Sequence, residues 1–294
     1  MLPKNGNVIS TKLFTIIAIS TGILAAQTAS DEPQSIRSIF DRLATQTPAA
    51  SSTTLSHTYT IAHFPFGGGF STRVLLTNSG ASDATVDISF LSQTGVPALV
   101  PLERPQGKVT TLHLKIAKNQ TQGFDADPSE RNSGPTTVTW ATADASGPLN
   151  IFSLFDYAPS SKPTTAAATA INGAVGVQSA VATKTFRFPV SINGPLGYNE
   201  GVAIANPNNS NTNVTVKLLL ADGTVKDTIQ KTLPPNGQIS FVLTDGAVFA
   251  HDLTASALFN GSVAVCASQP VGLVAIGIEG GAFFTTAVTN DPCP

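Results

Sequence analysis

From His57 onward, short runs of alternating apolar and polar residues are separated by Gly, Asn, Pro and Asp clusters about every 8–12 residues. That spacing is the pattern of an antiparallel sandwich or barrel. It predicts strands near 58–64, 72–77, 84–91, 109–115, 136–142, 149–156 and 174–182. A second set is predicted near 185–190, 201–205, 213–220, 225–232, 238–243, 253–258, 262–267, 271–278 and 282–288. Thr94-Gly95 and Asp222-Gly223 read as hairpin turns, where glycine supplies a positive φ. Before His57 the periodicity is helical: Ile36, Ile39, Phe40 and Leu43 share a stripe behind Asp31-Glu32-Pro33. A Thr/Ser/Ala/Pro connector joins this helix to the first strand.

The strand pattern is written twice. Val74-Leu75-Leu76-Thr77-Asn78 leads into Val86–Gly95, and Val202-Ala203-Ile204-Ala205-Asn206 leads into Val214–Gly223, offset by 128 residues. Phe64-Pro65 and Phe188-Pro189 precede the two copies. A repeat of this length fits a small domain rather than a solenoid unit. The predicted fold is all-β, with two tandem Ig-like antiparallel sandwiches. Its divisions are 1–30, a signal peptide; 31–56, the helix and connector; 57–183, the first sandwich; and 184–294, the second. Ser160–Gly173 reads as a long hairpin loop inside the first copy, because Val175–Ala180 fills the slot of the closing strand Ala282–Ala287.

The first thirty residues carry Lys4 and Lys12 ahead of the apolar run Leu13–Ala26, then small residues through Ala29-Ser30. This is the arrangement of an export signal, and the run is short for a membrane span. The expected address is secreted, extracellular or periplasmic. Charged residues make up 12% of the chain and net charge is −2, so a nucleic-acid partner is not expected. Cleavage after Ser30 would leave the chain more acidic, at about −4. No further apolar run reaches spanning length. For an exported chain, Cys266 and Cys293 are expected to form a disulfide tying the tail to a strand.

Candidate chemistry is sparse. His57, His63, His113 and His251 are scattered, and no nucleophile elbow or metalloprotease helix is present. No enzyme activity and no cofactor are expected. Phe66-Gly67-Gly68-Gly69-Phe70 reads either as a recognition loop or as a turn plugged by two core rings. Trp140 shares its face with Val138 and Thr142, which favours packing over a binding platform. Asp125, Asp127 and Glu130 gather carboxylates in one loop, a weak calcium candidate without EF-hand spacing. If the chain binds anything, the loop at 66–70 and the loop at 125–131 are the expected contact.

The pieces His63–Thr72 and Leu76–Gly80, with Gly201–Asn206, Leu233–Gly237 and Gly281–Thr286, resemble exported proteins of soil bacteria, notably acidobacteria. The resemblance spans about residues 57–290 and implies paired β-sandwich modules on secreted proteins. It carries no activity with it. The functional expectation is surface adhesion or interaction with an extracellular matrix, through an unknown protein or glycan surface. A carbohydrate-binding module is the alternative, resting on Trp140, Phe66–Phe70 and Tyr198. A hydrolase of unrecognised type comes third.

Overall fold

The computed structural model describes residues 54–103, 107–158, 173–179, 181–246, 248–249, 259–279 and 282–294. The export signal, the helix over 36–43, most of the 160–173 loop and the strand expected at 253–258 lie outside the described residues. Within them the chain is nearly all strand, in antiparallel sheets.

The first half holds two four-stranded sheets. One has the order β1 (His57–Phe66), β8 (Thr137–Ala145), β3 (Ala84–Ser92), β6 (Thr111–Ile116). The other has the order β10 (Gly173–Ser179), β9 (Leu149–Tyr157), β2 (Phe70–Asn78), β7 (Thr121–Asp125). A short ribbon of β4 (Val100–Leu102) and β5 (Gly107–Val109) flanks them. Alternate residues face inward from both sheets: Ile61, Phe64, Val86, Ile88 and Phe90 from the first, Val74, Leu76, Phe124 and Ile151 from the second. Period-two patterning buries such faces only when two sheets pair, and that makes the sandwich.

The second half repeats this order strand for strand. On one side lie β14 (Val225–Leu233), β13 (Thr212–Leu220), the first part of β16 (Phe259–Glu279) and β11 (Thr183–Ile192). On the other lie β15 (Gln238–Val242), β12 (Asn199–Ala205), the second part of β16 and β17 (Ala282–Thr285). The two strands expected at 262–267 and 271–278 are therefore one 21-residue strand that serves both sheets. Its side partners change between Ala267, opposite Val214, and Gly272, opposite Ala205.

Asn78 and Asn206 play the same part in the two halves. Asn78 is buried at the end of β2, where its amide donates to the carbonyls of Ser82 and Ile116 and its oxygen accepts from the Gly80 N–H. Asn206 is buried at the end of β12 and donates to the carbonyls of Ser210 and Pro234, with its oxygen accepting from the Asn208 N–H. One side chain thus closes the turn to the next strand and pins it to the far edge of the sheet. A shorter or apolar residue there leaves buried backbone groups unpaired.

Strands β4, β5 and β7 were not expected from the sequence. Strand β7 reads as a loop because Gln122 and Gly123 interrupt its apolar pattern. The Gln122 side chain is nonetheless buried, its amide N–H donating to the Lys115 carbonyl. The expected pair Cys266–Cys293 is a disulfide. It holds the tail, whose Thr289 exchanges two backbone hydrogen bonds with Arg187 of β11. Closing a loop of that size stabilises the native state by about 2–4 kcal/mol. No described helix is long and apolar enough to cross a membrane.

Candidate functional site

The two halves meet face to edge around Trp140. On β8, Ala141, Ala143 and Ala145 point into the first core, so Trp140 points out of the opposite face. There it is fully buried among Ala62, Phe155, Val175, Ala203 and Val274. Its indole N–H is shared between the Ser92 carbonyl at 3.2 Å and the Asn236 carbonyl at 3.1 Å, one from each half. Gln238 adds its own N–H to the Gln93 carbonyl and its side-chain amide to the Ala62 carbonyl. The ring therefore serves the junction and is closed to any sugar.

The hairpin turn at Gly95 fits against the Pro235-Asn236 turn. A Cβ on Gly95 would come within 2.2 Å of the Pro235 carbonyl oxygen. Gly223, the repeat-related turn with nearly the same φ, has open space around it. The turn at Gly95 is a contact, and the turn at Gly223 lies at the surface.

The glycine loop is largely internal. Gly67, Gly68 and Gly69 all have positive φ, and the Gly69 N–H donates to the Arg131 carbonyl. The Phe70 N–H closes the turn onto Gly67. Phe66 packs on the first core. Phe70 stands apart from that core and lies against Tyr157 at 4.4 Å between centroids, the two rings tilted by 43°. The two loops expected to form a contact surface, 66–70 and 125–131, thus touch each other through the Gly69–Arg131 backbone bond, and Phe70 faces a cavity.

The carboxylates at 125–130 are dispersed among different tasks. Asp125 is buried at the end of β7, not in a loop, and binds Arg73 at 2.7 Å. Asp127 caps a single 3-10 turn by accepting from the Ser129 N–H. Glu130 accepts from the Ser133 hydroxyl and pairs with Lys108, which together hold its pKa below the usual range. Among the described residues no group of three or more His, Cys, Asp or Glu side chains is placed to hold a metal.

The cavity that Phe70 faces lies where the junction opens. It has a volume of about 240 Å³ and a mostly apolar wall, including Ala203, Val242, Ile276 and Phe283. His63 also lines it. This residue sits on a bulge, since the β1–β8 register shifts between Ile61 and Phe64. The bulge keeps Ile61 and Phe64 in the core while Ala62 and His63 turn to the junction. The residue retains a partly exposed edge, yet Nδ1 is covered and has no hydrogen-bond partner. Burial lowers its pKa from 6.5 to about 4, so the ring is neutral near pH 7. Sequence reasoning saw His63 only as one of several scattered histidines. The bulge that aims it has no local signal.

Beyond Phe283 lies a second, open concavity of about 530 Å³ with Leu196, Tyr198, Glu279 and Phe284 on its wall. The Tyr198 hydroxyl bonds to the Glu279 carboxylate, which raises the tyrosine pKa. Glu200, by contrast, is buried inside the second sandwich. Burial pushes its pKa up to about 7, against the lowering effect of a hydrogen bond from Thr286. No known protein-family model matches the chain, and no curated protein matches it in sequence.

The two glycine turns offer a matched comparison. Alanine at either costs about 1 kcal/mol for its positive φ. Gly95→Ala must also displace the facing turn, so its melting temperature is expected to fall well below that of Gly223→Ala. Equal losses would mean that the junction contact carries no stability.

His63 and Glu200 tilt the pH dependence of stability in opposite senses. The neutral, buried His63 contributes stability that is present above about pH 6.5 and is lost as pH falls toward 4. Protonated Glu200 contributes stability that is present below about pH 4.5 and is lost as pH rises through 7. Against wild type, denaturant titrations of Glu200→Gln should show a steeper rise of stability from pH 4.5 to 6.5, and His63→Phe a steeper fall. Parallel curves for all three proteins would contradict both assignments.

Proposed function

We propose that this chain is an exported, non-catalytic protein of two tandem Ig-like β-sandwich modules that attaches to an extracellular surface, in adhesion or matrix interaction. Export is supported by the charged and apolar N-terminal pattern and by a disulfide suited to an oxidising compartment. Duplication is supported by the matching strand order of the two halves and by the shared role of Asn78 and Asn206.

The observation that carries the reading is a polar row across the open face of the first sandwich. Thr58 donates to Asp144 at 2.6 Å, Asp144 stands opposite Asp87, and Asp87 bonds His113 at 2.7 Å. Four neighbouring strands thus present hydrogen-bonding groups on one hydrated face, the kind of surface that grips a polar polymer by many weak contacts. Neither His63 nor His113 has a Ser, Thr or Cys hydrogen-bonded to it among the described residues, so the reading invokes no nucleophile.

A carbohydrate-binding reading is favoured by one separate observation, the open concavity with Tyr198, Phe283 and Phe284 beside the Glu279 carboxylate. Exposed rings with a nearby acceptor suit the apolar face and hydroxyls of a sugar. The test is cosedimentation of the processed protein with envelope and exopolysaccharide from the producing cells. Retention that drops when Asp87 and Asp144 are replaced by Ala supports attachment through the polar row. Retention lost instead in Tyr198→Ala and Phe284→Ala moves the site to the ring cluster and favours the glycan module. No retention on any fraction would overturn both.

A further inference from the structure

We propose that this chain associates head to tail with further copies of itself, Phe152 on the first half of one copy entering an open concavity around Ser262 on the second half of the next. This goes beyond the surface attachment above and does not rest on it.

The contact within one chain supplies the geometry. There the outer faces of β12 and of the second part of β16 dock against Trp140, with Ala203 opposite Val274. In the first half the corresponding strands are β2 and β9, with Leu75 opposite Phe152. Val74, Leu76 and Ile151 point into the core, so Leu75 and Phe152 point outward. Phe152 is 40% exposed, and half-buried Leu75 and Leu154 share its face. An apolar patch thus stands on the first half at the place that makes the junction on the second.

The acceptor lies at the matching place on the second half. Trp140 stands opposite Leu91, just ahead of the Gly95 turn, and Ser262 stands opposite Leu219, just ahead of the Gly223 turn. Around Ser262 lies a concavity of about 660 Å³ with Pro189, Leu220, Gly261 and Thr289 on its wall. Roughly 150 Å³ suffices for a benzene ring, so the Phe152 side chain fits. Sizes are exchanged between the two contacts. Within the chain a large Trp140 meets small Ala203, and between chains a large Phe152 meets small Ser262 and Gly261. The Arg187 guanidinium, held by the Ser262 hydroxyl, also lines the concavity and offers the ring a cation.

The turns match as well. Within the chain the Gly95 turn fits against Asn236. Asn119 has φ 58° against 56° at Asn236, and each precedes the N–H that closes its turn, Gln120 onto Ala117 and Gly237 onto Pro234. Asn119 is exposed, and the space around Gly223 is open. A docked copy therefore brings Asn119 to Gly223 as Asn236 meets Gly95. The two surfaces lie on different halves, so the contact is heterologous and adds copies beyond a dimer.

The test uses the full chain and follows mean mass by light scattering and sedimentation across a range of protein concentrations. Wild type is expected to exceed about twice the monomer mass as concentration rises. Phe152→Asp, which spoils the knob, and Ser262→Trp, which fills the concavity, should each stay monomeric with unchanged far-ultraviolet circular dichroism. Mixed together, the two variants should give a dimer and nothing larger, since one intact knob and one intact concavity remain between them. Should Ser262→Trp fail to fold, Pro189→Trp at an exposed position on the same wall takes its place. Wild type that stays monomeric up to its solubility limit overturns the proposal. So does a species that stops at a dimer, assembly that survives Phe152→Asp, or a mixture of the two variants that gives no dimer.

Discussion

The arrangement of this molecule depends on one shared hydrogen bond. The Trp140 indole has a single N–H, and it is divided between a carbonyl of the first half and a carbonyl of the second. Because the ring is fully buried, that N–H has no water to turn to. Moving the halves apart would take away the Asn236 acceptor, leave the indole with the Ser92 carbonyl of its own half, and expose the largest side chain in the chain. Gln238 and Gln93 add further bonds across the same line, and only residues 180–182 separate β10 from β11. The halves are consequently held in one orientation, and every surface that spans them is a fixed surface.

That constraint gives the junction features that neither half has alone. Gly95 and Gly223 are the same turn twice, yet one is pressed against a neighbour and the other is free. His63 and the bulge beneath it occur in the first copy, and the corresponding stretch of β11 runs through Phe188 in regular register. Docking closes the Trp140 end of the junction and leaves a cleft at the Phe70–Phe283 end. The aromatic contacts Phe70–Tyr157 and Tyr157–Phe283 run along the rim of that cleft.

Much of the architecture was legible in the residues. Alternation located most strands, the matching Asn and Gly located equivalent turns, and an even pair of cysteines located the disulfide. What stayed hidden was whatever depends on contacts distant in sequence. Strand β7 has an interrupted pattern because its buried polar residues have partners outside the strand: Gln122 donates to the Lys115 carbonyl, and Asp125 pairs with Arg73, 52 residues away in sequence. Strand β16 reads as two because Ser268-Gln269-Pro270 resembles a turn, although the chain runs on through it. The cleft was invisible for the same reason: Trp140, His63 and Gly201 are unremarkable alone and meet only after both sandwiches have formed. The loop at 66–70 is distinctive in composition, but its glycines serve a tight turn packed on Arg131 and Thr136.

The central claim is that the two halves form one rigid body through the Trp140 junction, and residual dipolar couplings test it most directly. Amide couplings from β1–β10 and from β11–β17, measured in one weakly aligning medium, each define an alignment tensor. The account predicts tensors of equal magnitude and common orientation in these axes. Tensors that differ in magnitude or direction would show the halves moving independently, and would contradict it.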